Sequence, residues 1–308
     1  MGKSINYAHV SYVFMAVYLL GIIFGKGIRY VFPSLATISP NLLEFAIMVF
    51  LAQVCINFFP SLGFAVKYKQ SIKEIYKLNS ISLKQLGWSI LLFILVQGIL
   101  LFLHYIIEKA SILIGNSYQM SFYPTADNWQ SLIVLIVFIG IIPPICEDLF
   151  FRGFLFSGSS EFGGKFAVFF TASAFALFHD NPFRFGEIFV YAVFVGYIVL
   201  YTNSIYPGMI LHVLTNTSYV IGSYFIAGDF VAGVSSSSNV GNVVLQFIIY
   251  TFIGVISLIL SLIVVKKLKD LSTSPIEEKE SKGTVLGWLN IPIVIVTVVF
   301  ILRVLIGV

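Results

Sequence analysis

The stretch from Pro143 to Phe156 reads PPICEDLFFRGFLF and carries Glu147, Asp148 and Arg152 within a run otherwise as apolar as a bilayer span. On insertion scales each ionised group at the centre of such a span costs about 2.5–3.5 kcal/mol. Charges kept at that depth pair with one another or face a cavity, and they mark functional sites. Further polar positions recur in the apolar segments that follow: His179 ends FALFH, and HVLTN holds His212 and Asn216. No other part of the chain has this density of ionisable groups at membrane depth.

Outward from that stretch, the composition fixes the class. Of 308 residues 58% are hydrophobic and 10% charged, against about 25% charged in a soluble domain. The chain is therefore expected to be an all-α, polytopic membrane helical bundle. Its lipid bilayer is its first partner, and nothing points to nucleic acid. The two cysteines, Cys55 and Cys146, both lie in apolar segments, which supports neither a disulfide framework nor a cysteine-based zinc site.

Crossing about 30 Å of hydrocarbon takes about 20 apolar residues. On that measure nine spans are expected, near 9–28, 42–66, 86–107, 130–158, 165–180, 185–203, 207–226, 243–265 and 285–306. The first is read as a retained span, because no small-residue cleavage site follows it. Pro143 and Pro144 should kink the fourth span or restart it at Ile145. Three parts follow: N-terminal spans over 1–124 with a basic connector, a polar core over 125–226 built on spans four to seven, and C-terminal spans over 227–308 with a polar linker. Residues 227–242, with four serines in a row, read as a flexible outer loop, and 270–284 as an inner linker. The basic connector KYKQSIKEIYKLNSISLKQLG reads as a solvated linker, with a segment lying on anionic lipid as the alternative, and His9 reads as a solvated leader residue. No internal repeat of the transporter kind is visible. Gly21 and Gly25 would let helices approach closely, within one chain or between two, and leave the oligomeric state open.

With a cytoplasmic N-terminus, the inner segments hold twelve of the eighteen Lys and Arg: Lys3, five lysines from Lys67 to Lys84, Lys165, and five from Lys266 to Lys282. The outer segments hold Lys26, Arg29, Lys109, Arg184 and Arg303. The positive-inside rule then gives an inner N-terminus and an outer C-terminus.

The polar groups should meet. Gly163 lies 16 residues after Glu147 and 16 before His179, so a helical hairpin turning there sets both side chains at similar depth. His212 enters the seventh span just after a turn at 203–208, and Asn216 shares its helix face. All four are expected in the cytoplasmic half of the membrane, open to the cytoplasm. Asp148 and Arg152 stand at i and i+4, the pairing distance on a helix, which suits a structural bridge that supports Glu147. Peptide hydrolysis needs a base for water, a donor for the leaving amine and donors for the oxyanion. Glu147 with His179 would supply the first two, and His212 with the Asn216 amide the third. A zinc ion on Glu147, His179 and His212 is an alternative arrangement of the same side chains, but HExxH is absent. No metal or other cofactor is otherwise expected. His104 is read as a structural or interfacial histidine, Cys146 as an apolar filler, and Asp180–Arg184 as a tight turn.

EDLFFR, FALFH and HVLTN resemble, in order, the EExxxR, FxxxH and HxxxN/D motifs of the CPBP family of intramembrane proteases, which includes CAAX prenyl endopeptidases and bacterial Abi-type proteins. FVGYIVLYTNSIYPGMILH, residues 194–212, is similar to the family's segment before the last motif. The resemblance spans about residues 125–222. It implies an all-helical membrane core and a glutamate-activated water, with Glu147 as the catalytic glutamate, His179 its partner, His212 and Asn216 on the oxyanion side, and Arg152 the motif arginine. The substrate it implies is a membrane-associated peptide or protein, prenylated or not. One departure is plain: Asp148 stands where the motif has a second Glu, a carboxylate on a shorter arm. The family also contains non-proteolytic membrane regulators, the alternative to an endopeptidase here. A transporter is a third, weaker reading of the same buried charges.

Overall fold

A computed structural model of the chain describes residues 5–36, 41–113, 125–226, 240–272, 274 and 290–306. Three long helices open on asparagine caps. Asn6 accepts from the His9 amide at 3.0 Å while the His9 ring accepts back from the Asn6 amide, and Asn41 and Asn128 cap two more. Such caps satisfy amides that the first helical turn leaves unpaired. His9 is thus not a solvated leader residue: it closes a capping box and packs on the rings of Phe64 and Tyr68.

Nine helices carry the fold among the described residues: α1 (Tyr7–Val31), α2 (Leu42–Lys67), α3 (Leu83–Leu113), α4 (Trp129–Phe162), α5 (Gly164–Phe178), α6 (Phe185–Thr202), α7 (Tyr206–Ile226), α8 (Val240–Asp270) and α9 (Ile291–Ile306). No strand occurs among these residues. The protein is an all-α polytopic membrane bundle. Each expected span coincides with a helix, but six are both long and apolar enough to cross a membrane: α1 to α4, α6 and α8. Helices α5 and α9 are short, at 15 and 16 residues. Helix α7 has 21 residues, but His212, Asn216 and its Ser and Thr residues dilute its hydropathy. Residues 227–239 of the expected outer loop, and residues 273 and 275–284 of the linker, lie outside the described residues.

Helix α4 runs through Pro143 and Pro144 without restarting. The turn before them widens to a π-helical segment, Ile136–Ile141, in which the Ile142 amide reaches back to Val137. The prolines then fall in the first turn of the next α-helical stretch, where their missing N–H groups are tolerated. Gly163, with φ of 99°, makes the turn into α5, a left-handed conformation open to glycine at no steric cost.

Packing places α4 and α5 at the centre. Phe150, Phe151, Phe154, Phe156 and Phe175 are buried there, and one apolar cluster joins them to Val10 and Phe14 of α1, Leu92 of α3, Val195 of α6, Val264 of α8 and Val296 of α9. Lipid tails are as apolar as these side chains, so close van der Waals contact rather than exclusion of water holds such helices together. Helix α8 lies along α3, and its outer face presents Phe252, Ile259 and Leu262, as expected of a lipid-facing helix.

The basic connector is not a solvated linker. It contains a one-turn helix, Ile72–Ile75, and Ile75, Tyr76 and Lys77 are buried. Ser157 donates to the Ile75 carbonyl at 2.7 Å, Asn79 to the Asn203 carbonyl at 2.8 Å, and Ser204 to the Asn79 carbonyl at 2.6 Å. These bonds stitch the connector under α4 and the α6–α7 turn, and satisfy backbone groups that burial would otherwise leave unpaired. The connector therefore closes the end of the bundle that also holds the start of α1, where the Tyr7 amide donates to Glu161 at 2.7 Å.

Candidate active site

Helix α4 presents Glu147, Asp148 and Arg152 inward, and all three are buried. Arg152 Nη1 approaches Asp148 Oδ1 at 3.1 Å, the i, i+4 bridge that the sequence implies. The guanidinium also lies 3.8 Å from the centre of the Phe175 ring, a cation–π contact worth about 2 kcal/mol when desolvated. At 2% and 0% exposure, Arg152 and Asp148 form a charge pair taken fully out of solvent.

Helix α7 reaches this cluster because Gly140 of α4 has no side chain. A Cβ there would lie 2.5 Å from Thr217 Oγ1 and 3.2 Å from Thr217 Cα. The close approach brings His212 between the two carboxylates: Nε2 is 3.9 Å from Glu147 Oε2, and Nδ1 is 3.4 Å from Asp148 Oδ1. Neither approach has hydrogen-bond geometry. The edges of Phe175 and Tyr191 meet the His212 ring and hold its plane. Asp148 therefore touches both Arg152 and His212, a second contact beyond the expected bridge.

His179 caps the end of α5. Its Nδ1 pairs with the Phe175 carbonyl at 2.8 Å. A carbonyl only accepts, so Nδ1 carries the proton and Nε2 is the nitrogen left for exchange. Asn216 donates to the Ile139 carbonyl at 3.3 Å. No hydrogen bond or ion pair joins His179 to Glu147. Instead, Glu147, His179, His212 and Asn216 line one cavity of about 1040 Å³. Among the described residues no group of three or more His, Cys, Asp or Glu side chains is gathered as a metal-holding set.

Two residues of this site escaped the sequence reading. Gln53 Nε2 donates to Glu147 Oε1 at 3.0 Å, and Asn57 donates to Gln53 Oε1 at 2.8 Å. Both come from α2, from the π-helical stretch Leu51–Phe58. Two amides four residues apart in an apolar span were the available signal, because polar side chains at that depth seek partners.

The cavity also reaches Lys26 and Arg29 near the end of α1, Asp180 and Arg184 between α5 and α6, and Arg303 near the end of α9. Arg303 pairs with Asp180, which also accepts from the Tyr18 hydroxyl at 3.3 Å. The stretch after α5 is the expected tight turn, with the Asn181 side chain accepting from the Phe183 and Arg184 amides. His104 pairs with Glu187 at 3.0 Å, and Glu187 is a further wall residue. This rim lies at the end of the bundle opposite the buried connector. Gly21 and Gly25 line the cavity as well, and a Cβ on Gly25 would meet nothing within 4 Å.

Compared with known proteins, residues 129–218 match the family of type II CAAX prenyl endopeptidases described as Rce1-like. No curated protein and no solved structure matches the chain. The matched segment runs from the start of α4 to Ser218 of α7, and includes Glu147, Asp148, Arg152, His179, His212 and Asn216 but not Gln53 or Asn57.

Proposed function

We propose that this chain, whose residues 129–218 match the Rce1-like type II CAAX prenyl endopeptidases, hydrolyses a peptide bond in a membrane-associated substrate with water activated by Glu147. The observation that carries this reading is the pairing of Glu147 with His212 at 3.9 Å on the wall of a cavity that His179 and Asn216 share. Glu147 takes a proton from water as the water oxygen adds to the scissile carbonyl. The His212 ring and the Asn216 amide stabilise the resulting oxyanion; the proton held by Glu147 then passes to the bare Nε2 of His179, which hands it to the amine as the C–N bond breaks. Base, acid and oxyanion donors are thereby all side chains of this protein. Arg152 and Asp148 are supports: the bridge fixes Asp148, and Asp148 sits against His212 Nδ1.

Purified protein in liposomes tests the reading with a farnesylated peptide and its unprenylated counterpart. Cleavage of at least the prenylated peptide is expected, undiminished by EDTA. Loss of cleavage on chelation, restored by zinc, would replace the water-and-glutamate mechanism with a metal one.

We assign the orientation from the charge count and the rim together. The count of twelve inner against five outer Lys and Arg supports a cytoplasmic N-terminus. The rim residues Lys26, Arg29 and Arg303 stand at the opposite end, so on that orientation the mouth faces away from the cytoplasm. Cysteine placed at Arg29 in a variant lacking Cys55 and Cys146 is expected to react with an impermeant maleimide in intact cells. Reaction only after permeabilisation would reverse the chain and put substrate entry on the cytoplasmic side.

A further inference from the structure

We infer that Gln53 is a positioning residue for Glu147, and that the site is completed by a helix outside the segment that carries the family's motifs. The inference rests on the reading of Glu147 as the base. Three observations carry it. Gln53 Nε2 donates to Glu147 Oε1 at 3.0 Å, which leaves Oε2 as the oxygen nearest His212. Asn57, 1% exposed, donates in turn to Gln53 Oε1 at 2.8 Å. Gln53, Asn57 and Glu147 all line the cavity.

The direction of this relay follows from its members. An ionised carboxylate can only accept, so Gln53 must turn its NH₂ toward Glu147 and its carbonyl away. That carbonyl then needs a donor, and the Asn57 amide supplies it one helical turn further on. A carboxylate on two freely rotating bonds would otherwise present either oxygen to the cavity. With Oε1 occupied by Gln53, Oε2 is held toward His212 and the space where a substrate carbonyl would sit. Fixing the orientation of a base before substrate arrives is a large part of what positioned groups contribute to catalysis. The relay depends on α2 lying against α4, and the widened segments Leu51–Phe58 and Ile136–Ile141 belong to those two helices.

The test compares wild type, Gln53→Met, Asn57→Leu and the double variant in liposomes with a farnesylated peptide. Methionine keeps the length of Gln53 and removes the donor. Glu147→Gln serves as the inactive reference and identifies the Glu147 carboxylate band in infrared difference spectra. Hydrogen bonds to charged groups contribute about 1.5–3 kcal/mol. If the bond is used in the transition state, Gln53→Met lowers kcat about tenfold or more with KM nearly unchanged, and it shifts the Glu147 band. Asn57→Leu has a smaller effect, which vanishes when Gln53 is already methionine. Unchanged kcat in Gln53→Met, or a band that does not move, overturns the positioning role while Glu147 stands as base. A rise in KM alone assigns Gln53 to substrate binding and likewise overturns it. A wild type and Glu147→Gln that are equally inactive, or equally active, would instead bring down the protease reading and the inference with it.

Discussion

Replacing Glu147 with glutamine is expected to lower kcat by about 10²–10⁴-fold, the span that a positioned general base contributes, while the protein still inserts and folds. The substitution is close to isosteric, and Gln53 can still donate to the carbonyl oxygen of the new amide. Packing around the side chain should therefore persist, and the loss is chemical. His179→Ala should reduce turnover over the same range, through the leaving group rather than the attacking water. A steady-state assay in liposomes, read beside the melting temperature of each variant in detergent, checks both. A fall in activity matched by a fall in melting temperature would place these residues in the scaffold instead.

Arg152→Ala is expected to be the most damaging change to the fold. It would strip Asp148, fully buried, of its counter-charge and empty the space over the Phe175 ring. Breaking a buried pair by removing one partner costs about 3–5 kcal/mol, because the remaining charge is left uncompensated. Replacing both partners with apolar residues of similar volume, Asp148→Leu with Arg152→Met, should recover most of that loss. It should not recover activity, since the contact of Asp148 with His212 Nδ1 at 3.4 Å goes with it. Thermal inactivation in detergent measures the first effect and peptide cleavage the second. Equal stability of Arg152→Ala and wild type would mean that the pair contributes nothing to holding α4.

The parts of this protein that depend on local rules could be read from its residues. Apolar runs of bilayer length gave nine helices in the right places, because a backbone in lipid has no other way to pair its polar groups within one segment. The Asp148–Arg152 bridge followed from i, i+4 spacing and survived the π-helical widening at Leu149–Leu155. His179, His212 and Asn216, which line one cavity, stood out because each is polar at a depth where polarity is costly. What escaped depends on how helices meet. Gln53 and Asn57 were polar in the same sense, but their partner lies 94 residues away from Gln53, and nothing local connects them. The connector was read as solvated from its lysines, while Ile75 and Tyr76 were the residues that decided its burial. Pro143 and Pro144 suggested a break, but a widened turn just before them absorbed the missing donors.

The most direct measurement compares the N-termini of membrane proteins in cells that carry wild type or Glu147→Gln at equal expression. The endopeptidase account predicts at least one precursor that accumulates in the variant, together with new N-termini, or shortened C-termini, present only with wild type. Identical profiles, with a phenotype that appears only when the whole gene is deleted, would contradict it and leave a membrane-embedded regulator built on the same polar core.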